Sequence, residues 1–221
     1  MAIQDDVREN AQIELFKLER PSDGSRSGVE AVLNLQNGTE IPFELKTTTN
    51  GSVTTVRDFG YAHIEKWKTK HWLISKYSSD GTTMEYSLYG SPKALADWIN
   101  EKEEYIRPDF ELAKLVPNNL TLNHLWQIVG KRKKYSLSEA RKLQKKQYSA
   151  SQYQEKMDLE DGYSPKRMLE ILKDRCKYLI ERGSTLNNPQ IPASYFHGWE
   201  RMTTDHADRL RQLVAQSLSS T

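Results

Sequence analysis

Gly28-Val29-Glu30-Ala31-Val32-Leu33 and Ile41-Pro42-Phe43-Glu44-Leu45-Lys46 stand on either side of Gln36-Asn37-Gly38-Thr39. Val29 to Leu35 and Ile41 to Thr48 are rich in β-branched and apolar residues, and Asn37-Gly38 is a dipeptide that favours a tight turn between antiparallel strands. The stretch reads as a β-hairpin. Side chains alternate along a strand, so Phe43, Leu45 and Thr47 share one face while Glu44, Lys46 and Thr48 share the other. Glu30, Val32 and Asn34 share a face of the first strand, and the short turn and strand twist are expected to bring Glu30 towards Glu44.

Two adjacent carboxylates repel each other and persist at neutral pH only beside a cation. Mg²⁺ suits such a pair, because it takes oxygen ligands and commonly uses one or two carboxylates while leaving positions for water and phosphate oxygens. A lysine next to the pair is a poor ligand but a good neighbour for a scissile phosphate and an attacking water. Exposed strands also carry Glu and Lys two apart for cross-strand pairing and solubility, so the spacing alone does not specify this chemistry.

Glu30 followed by Glu44-Leu45-Lys46 at the end of a hairpin resembles the PD-(D/E)XK nuclease signature, and the chain as a whole resembles a Type II restriction endonuclease. The resemblance implies an α/β (α+β) fold with a mixed central β-sheet flanked by helices. It also implies that Glu30 and Glu44 bind Mg²⁺, that the Leu45 carbonyl completes the metal site, and that Lys46 orients or activates water. The first position is usually Asp preceded by Pro; here it is Glu30 preceded by Val29.

The chain beyond the motif fits such a core. A hydroxyl-rich loop over residues 47–58 leads to a helix expected from about Phe59 to Thr69. Strands His71–Tyr77 and Met84–Tyr89 come next, and Pro92 opens a helix expected to run to about Tyr105. Before the hairpin, Val7, Ala11, Leu15 and Leu18 fall at helical spacing within Asp5–Glu19. In the restriction families an acid on an N-terminal helix often reaches the metal, a role open to Glu14 or Glu19; a solvated helix face is the alternative.

The texture changes after Arg107-Pro108-Asp109 and Pro117-Asn118-Asn119, where strand-like runs stop and helices are expected at 121–129, 136–148, 151–158, 165–181 and 203–218. We therefore expect a nuclease core over 1–116 and a mainly helical, basic DNA-binding and dimerisation region over 117–221, packed on that core as one domain. Ser136-Leu137-Ser138-Glu139 has the form of a capping box. The connection around Ser149 allows a helix-turn-helix in which Gln152, Gln154 and Lys156 read base edges, and ordinary amphipathic packing accounts for the same pattern.

The net charge of +2 conceals an asymmetry. Residues 1–130 carry 14 basic and 19 acidic side chains, for −5, whereas residues 131–182 carry 15 and 8, for +7. Lys131, Arg132, Lys133, Lys134, Arg141, Lys142, Lys145 and Lys146 head the basic segment, interleaved with Tyr135, Tyr148 and Tyr153. They are the expected DNA-binding residues, with a solvated surface as the plainer reading.

At 221 residues, 37% hydrophobic and 28% charged, the chain has the composition of a polar globular protein with room for a sizeable core. No apolar run approaches about 18 residues and Met1–Asp6 has no leader pattern, so neither membrane insertion nor export is expected. A single cysteine, Cys176, rules out an internal disulfide and a cysteine zinc cage, which suits a cytoplasmic setting. The five histidines show no ligand pairing, and neither a Walker loop nor a Gly-x-Ser-x-Gly elbow is present. Tyr195-Phe196-His197-Gly198-Trp199 comes after a stiff loop and is open to nucleic-acid contact or to locking the C-terminal helix onto the core or a second subunit.

The expected activity is Mg²⁺-dependent, sequence-specific hydrolysis of double-stranded DNA that leaves 5′-phosphate ends, with a homodimer on a palindromic site implied by the resemblance. The rivals are a structure-specific or repair nuclease of the same fold and a noncatalytic DNA-binding protein.

Overall fold

The computed structural model describes residues 2–21 and 28–220, with side chains described from residue 6 onward. The hairpin forms as expected. Strands β1 (Ala31–Asn34) and β2 (Glu40–Thr48) pair antiparallel with Ala31 opposite Phe43 and Asn34 opposite Glu40. Gly38 takes a φ of +81°, which supplies the left-handed turn that the Asn-Gly dipeptide signals. β2 then pairs in parallel with β4 (His71–Tyr77), and β4 pairs antiparallel with β5 (Met84–Gly90). A parallel neighbour requires a crossover, and α2 (Tyr61–Trp67) supplies it, preceded by the two-residue strand β3 (Val53–Thr54).

The class is mixed α/β: one sheet of order β1-β2-β4-β5-β7, its last strand β7 being Arg201–Met202, with helices on both faces. On the face of Phe43, Leu45 and Leu73, helix α1 (Ala2–Phe16) and helix α8 (His206–Ser219) close a core with Phe16, Leu33, Leu210 and Val214. On the opposite face Trp72 meets Trp67 of α2 at 4.8 Å between ring centroids. Phe59 and Trp98, the latter on α3 (Pro92–Leu115), extend that aromatic layer.

The chain divides into two compact units, one of residues 1–104 with 186–221 and one of residues 105–185. The boundary expected at 116/117 differs from this division, because the last segment returns to the first unit. Its strands β6 (Gln190–Ile191) and β7 (Arg201–Met202) pair with β3 and β5, so strands do not stop near Tyr89. Each is only two residues long, too short to show a period of two. The inserted unit packs α4 (Leu122–Val129), α5 (Leu137–Gln144), α6 (Ala150–Glu155) and α7 (Pro165–Gly183) around Leu125, Tyr135, Tyr163, Met168 and Ile171.

Several helix limits differ from expectation, those of α1, α3 and α5 for identifiable reasons. α3 begins in the first unit and runs on to Leu115 through Pro108. The proline removes one hydrogen bond, and the Glu, Lys, Ala and Leu residues around it are strong enough helix formers to carry the chain past it. α1 ends at Phe16, three residues early, because Lys17 turns left-handed at φ 50° and the Leu18 N–H donates to Ile13 O at 2.9 Å. α5 stops at Gln144, where Lys145 and Lys146 are both left-handed. The capping box at its start forms as expected: the Glu139 N–H donates to Ser136 Oγ, and the Ser136 N–H donates to the Glu139 carboxylate. Among the described residues no helix is long and apolar enough to cross a membrane.

His71, buried beneath the Phe43 face, has its Nδ1 2.6 Å from the hydroxyl of Tyr89. Burial pushes its pKa from the ordinary 6.5 down to about 4. The unfolded chain therefore takes up a proton there before the fold does, so stability falls as pH drops from about 6.5 towards 4. Fully expressed, the loss is about 3 kcal/mol. Urea unfolding at pH 7 and pH 4.5 should show it, and His71→Phe should flatten that pH dependence; an unchanged slope in the variant would assign the loss elsewhere.

Candidate metal and phosphate site

The hairpin register sets the site. Glu30 is the residue before β1, and its N–H donates to Phe43 O at 3.3 Å, so it stands opposite Glu44. Its Oε2 accepts from the Leu45 N–H at 2.5 Å and its Oε1 from Lys46 Nζ at 3.1 Å. Lys46 Nζ also reaches Glu44 Oε1 at 2.7 Å and donates to the carbonyl of Leu45 at 3.0 Å. Glu30, Glu44, Leu45 and Lys46, all expected in one site, are thus brought together around one nitrogen.

A fourth side chain belongs to the cluster and was not expected. Lys70, which is 3% exposed, ends the loop before β4; its Nζ lies 2.5 Å from Glu44 Oε2 and also donates to the carbonyl of Gly28. It is 24 residues beyond Lys46 in the chain, and only the parallel pairing of Phe43 with His71 delivers it to Glu44. Nothing in the local sequence marks that pairing. Gln12 of α1 was also missed. From the opposite face its buried Nε2 donates to Lys46 O at 3.2 Å, to Leu73 O at 3.3 Å and to Ser75 Oγ at 2.8 Å, tying β2 to β4 directly behind the lysine. Glu14 and Glu19 are exposed; the Glu19 backbone forms a bridge to Val32 rather than the last turn of a helix.

The two carboxylates have opposite electrostatic settings. Burial, reinforced by the charge of Glu44, pushes the Glu30 carboxyl above the ordinary carboxylate value despite Lys46 and the Leu45 N–H. Burial opposes ionisation of Glu44 too, but the ammoniums of Lys46 and Lys70 outweigh it and hold that carboxyl low. Lys46 itself is held above the ordinary lysine value, because the two carboxylates overcome the burial that would lower it.

Mg²⁺ can be tested against this donor set. Glu30 Oε1, Glu44 Oε1 and Leu45 O converge on Lys46 Nζ at 3.1, 2.7 and 3.0 Å. Two carboxylate oxygens and a carbonyl around one positive centre are the donors a hard divalent cation takes, and the residues fit that ion. Among the described residues no group of three or more His, Cys, Asp or Glu is arranged to hold a metal. The protein would thus supply part of an oxygen shell and leave the rest to water and phosphate, as is common for Mg²⁺. No protein-family model matches the chain, and no curated protein matches its sequence. The site therefore stands on its own geometry.

The eight expected DNA-binding residues all lie in the inserted unit and are exposed. Several have partners there: Arg132 pairs with Glu139 at 2.9 Å, Lys131 lies 4.7 Å over the Trp126 ring, Arg141 stacks 5.7 Å from the Tyr153 centroid, and Lys134 donates to Glu160 O. Lys145 and Lys146 do not extend a helical basic face with Arg141 and Lys142, because the helix ends before them. The helix-turn-helix reading loses two of its three base readers. Gln152 caps α6 by accepting from the Ser149 N–H at 2.7 Å, and Lys156 pairs with Asp174 at 3.1 Å.

Proposed function

We propose that this protein is an Mg²⁺-dependent, sequence-specific double-stranded DNA endonuclease of the PD-(D/E)XK, Type II restriction class. The observation that carries the reading is the convergence of Glu30, Glu44 and the Leu45 carbonyl on Lys46 Nζ. Paired carboxylates beside a lysine on neighbouring strands suit phosphodiester hydrolysis, where charge builds on phosphoryl oxygens and a water must be aimed at phosphorus.

Bound Mg²⁺ would polarise the phosphate and acidify a water. The chain's own groups do the rest. Glu30 and Glu44 would hold the cation, and the ammoniums of Lys46 and Lys70 keep Glu44 ionised. Lys46, released from the carboxylates it neutralises, positions the attacking water and donates to a phosphoryl oxygen on which negative charge develops. Gln12 keeps the Lys46 backbone in place from the far side of the sheet. In-line attack forms the new P–O bond as the P–O3′ bond breaks; the attacking water gives its proton to solvent water and the departing O3′ takes one from solvent, leaving 5′-phosphate and 3′-hydroxyl ends. A homodimer on a palindromic site would cut one strand per subunit, its two-fold axis matching that of the site.

The test is digestion of a large mixed-sequence DNA with Mg²⁺ and with EDTA. Discrete fragments that form only with Mg²⁺ are the expected result. A smear would point to a structure-specific or unspecific nuclease, and uncut DNA that is nonetheless bound would assign the chain to noncatalytic binding.

A further inference from the structure

The sheet face that carries Glu44 and Lys46 continues into a cleft that the proposed hydrolysis does not use. β2 next presents Thr48, two residues and about 7 Å beyond Lys46. Thr48 pairs with Lys76 and Lys46 with Ile74, while Ile74 and Lys76 pair in turn with Leu88 and Tyr86 of β5. Thr48, Ile74, Lys76, Tyr86 and Leu88 form one wall of a cavity of about 520 Å³, and the segment 193–201 forms the other.

Three features give the cleft a chemistry. Its cations are Lys76, whose Nζ donates to Tyr77 O at 2.6 Å and pairs with the exposed Glu85 at 3.3 Å, and Arg201, whose guanidinium stacks 4.5 Å from the Tyr86 centroid and keeps in-plane N–H groups for a phosphate. Its aromatic wall is Phe196 and Trp199, packed edge to face at 5.1 Å. That wall is fixed: a Cβ at Gly90 would come within 2.8 Å of the Trp199 ring and 2.5 Å of Leu95, so the indole sits where only glycine leaves room. Tyr195 anchors the same segment by donating to Ala94 O at 2.8 Å. At the cleft's edge stands the exposed Asn50, whose Oδ1 accepts from the Ser52 N–H at 3.0 Å.

We infer that this cleft receives one unstacked nucleotide of the strand that passes the carboxylates, with its base on the Trp199 and Phe196 wall and its phosphate between Lys76 and Arg201. The inference rests on the nuclease reading for the strand's path. An aromatic ring face beside cationic side chains is how proteins hold an unstacked nucleotide without a Watson–Crick partner, and the volume lies within the range of small-ligand pockets.

The experiment is calorimetric titration of the whole protein with thymidine 5′-monophosphate in EDTA, alongside thymidine and inorganic phosphate as separate probes. Saturable binding of the monophosphate in the millimolar range or tighter is expected, at least about tenfold tighter than either fragment. Arg201→Ala, an exposed site, and Trp199→Leu should each weaken it about tenfold, with Trp199→Phe restoring much of the loss. Equal melting temperatures would show that each variant is folded. A short single-stranded oligonucleotide should displace the monophosphate. No saturable binding to the wild-type protein, or binding indifferent to both Arg201→Ala and Trp199→Leu, overturns the inference. So does binding that the oligonucleotide does not displace, since the cleft would then serve a free nucleotide. Because every arm omits the divalent cation, failure of cleavage and failure of nucleotide binding are read separately.

Discussion

Lys46→Ala is expected to lower Mg²⁺-dependent DNA cleavage by about 10²–10³-fold or more while leaving DNA binding intact. The size reflects removal of a preorganised charge aimed at the transition state. The variant should fold, because each acid keeps another partner: Glu44 retains the Lys70 ammonium and Glu30 retains the Leu45 N–H. Initial rates on a cleavable DNA, together with equilibrium binding measured in EDTA, separate the two effects. Cleavage within a few-fold of wild type would remove Lys46 from the chemistry and return the Glu-x-Lys spacing to an ordinary strand pattern.

The second large effect concerns stability. Lys70→Met should destabilise the fold by about 3–5 kcal/mol, the usual consequence of leaving one partner of a buried ion pair uncompensated. Lys70 is 3% exposed and Glu44 equally so, and the same ammonium satisfies the Gly28 carbonyl. Lys46 continues to neutralise Glu44, which places the expected value towards the lower end. Adding Glu44→Gln to Lys70→Met should recover part of the loss, because a neutral amide needs no counter-ion. Denaturant unfolding of the two single variants and the double variant gives the coupling directly. A Lys70→Met protein as stable as wild type would mean that water replaces the ammonium at no cost.

The reach of the sequence was set by distance along the chain. Asn37-Gly38 fixes the turn, the turn fixes the register, and the register places Glu30 opposite Glu44, so the acids and Lys46 were legible within one local hairpin. Strands β4 and β5 were legible for the same kind of reason, being long enough to show their pattern. Lys70 was not, since its role depends on a parallel pairing reached through a crossover. Gln12 was hidden differently: a polar residue among helical apolar positions looks like a solvent-facing turn until a sheet is packed behind it. β6 and β7 carry too few residues to signal anything, yet they decide that residues 186–221 belong with the sheet and not with the helical unit.

That return of the chain has a consequence for how the protein is made. Glu30, Glu44, Lys46 and Lys70 are all translated before Met202, Leu210 and Val214, which complete the core on the opposite face of their sheet. Residues 105–185, a continuous stretch with its own core, emerge before that closing segment. Synthesis therefore delivers the basic unit first and withholds a fully supported carboxylate site until β7 and α8 have left the ribosome. A chain interrupted before residue 200 would carry every charged group of the site without β7 and α8, which close the core behind its sheet.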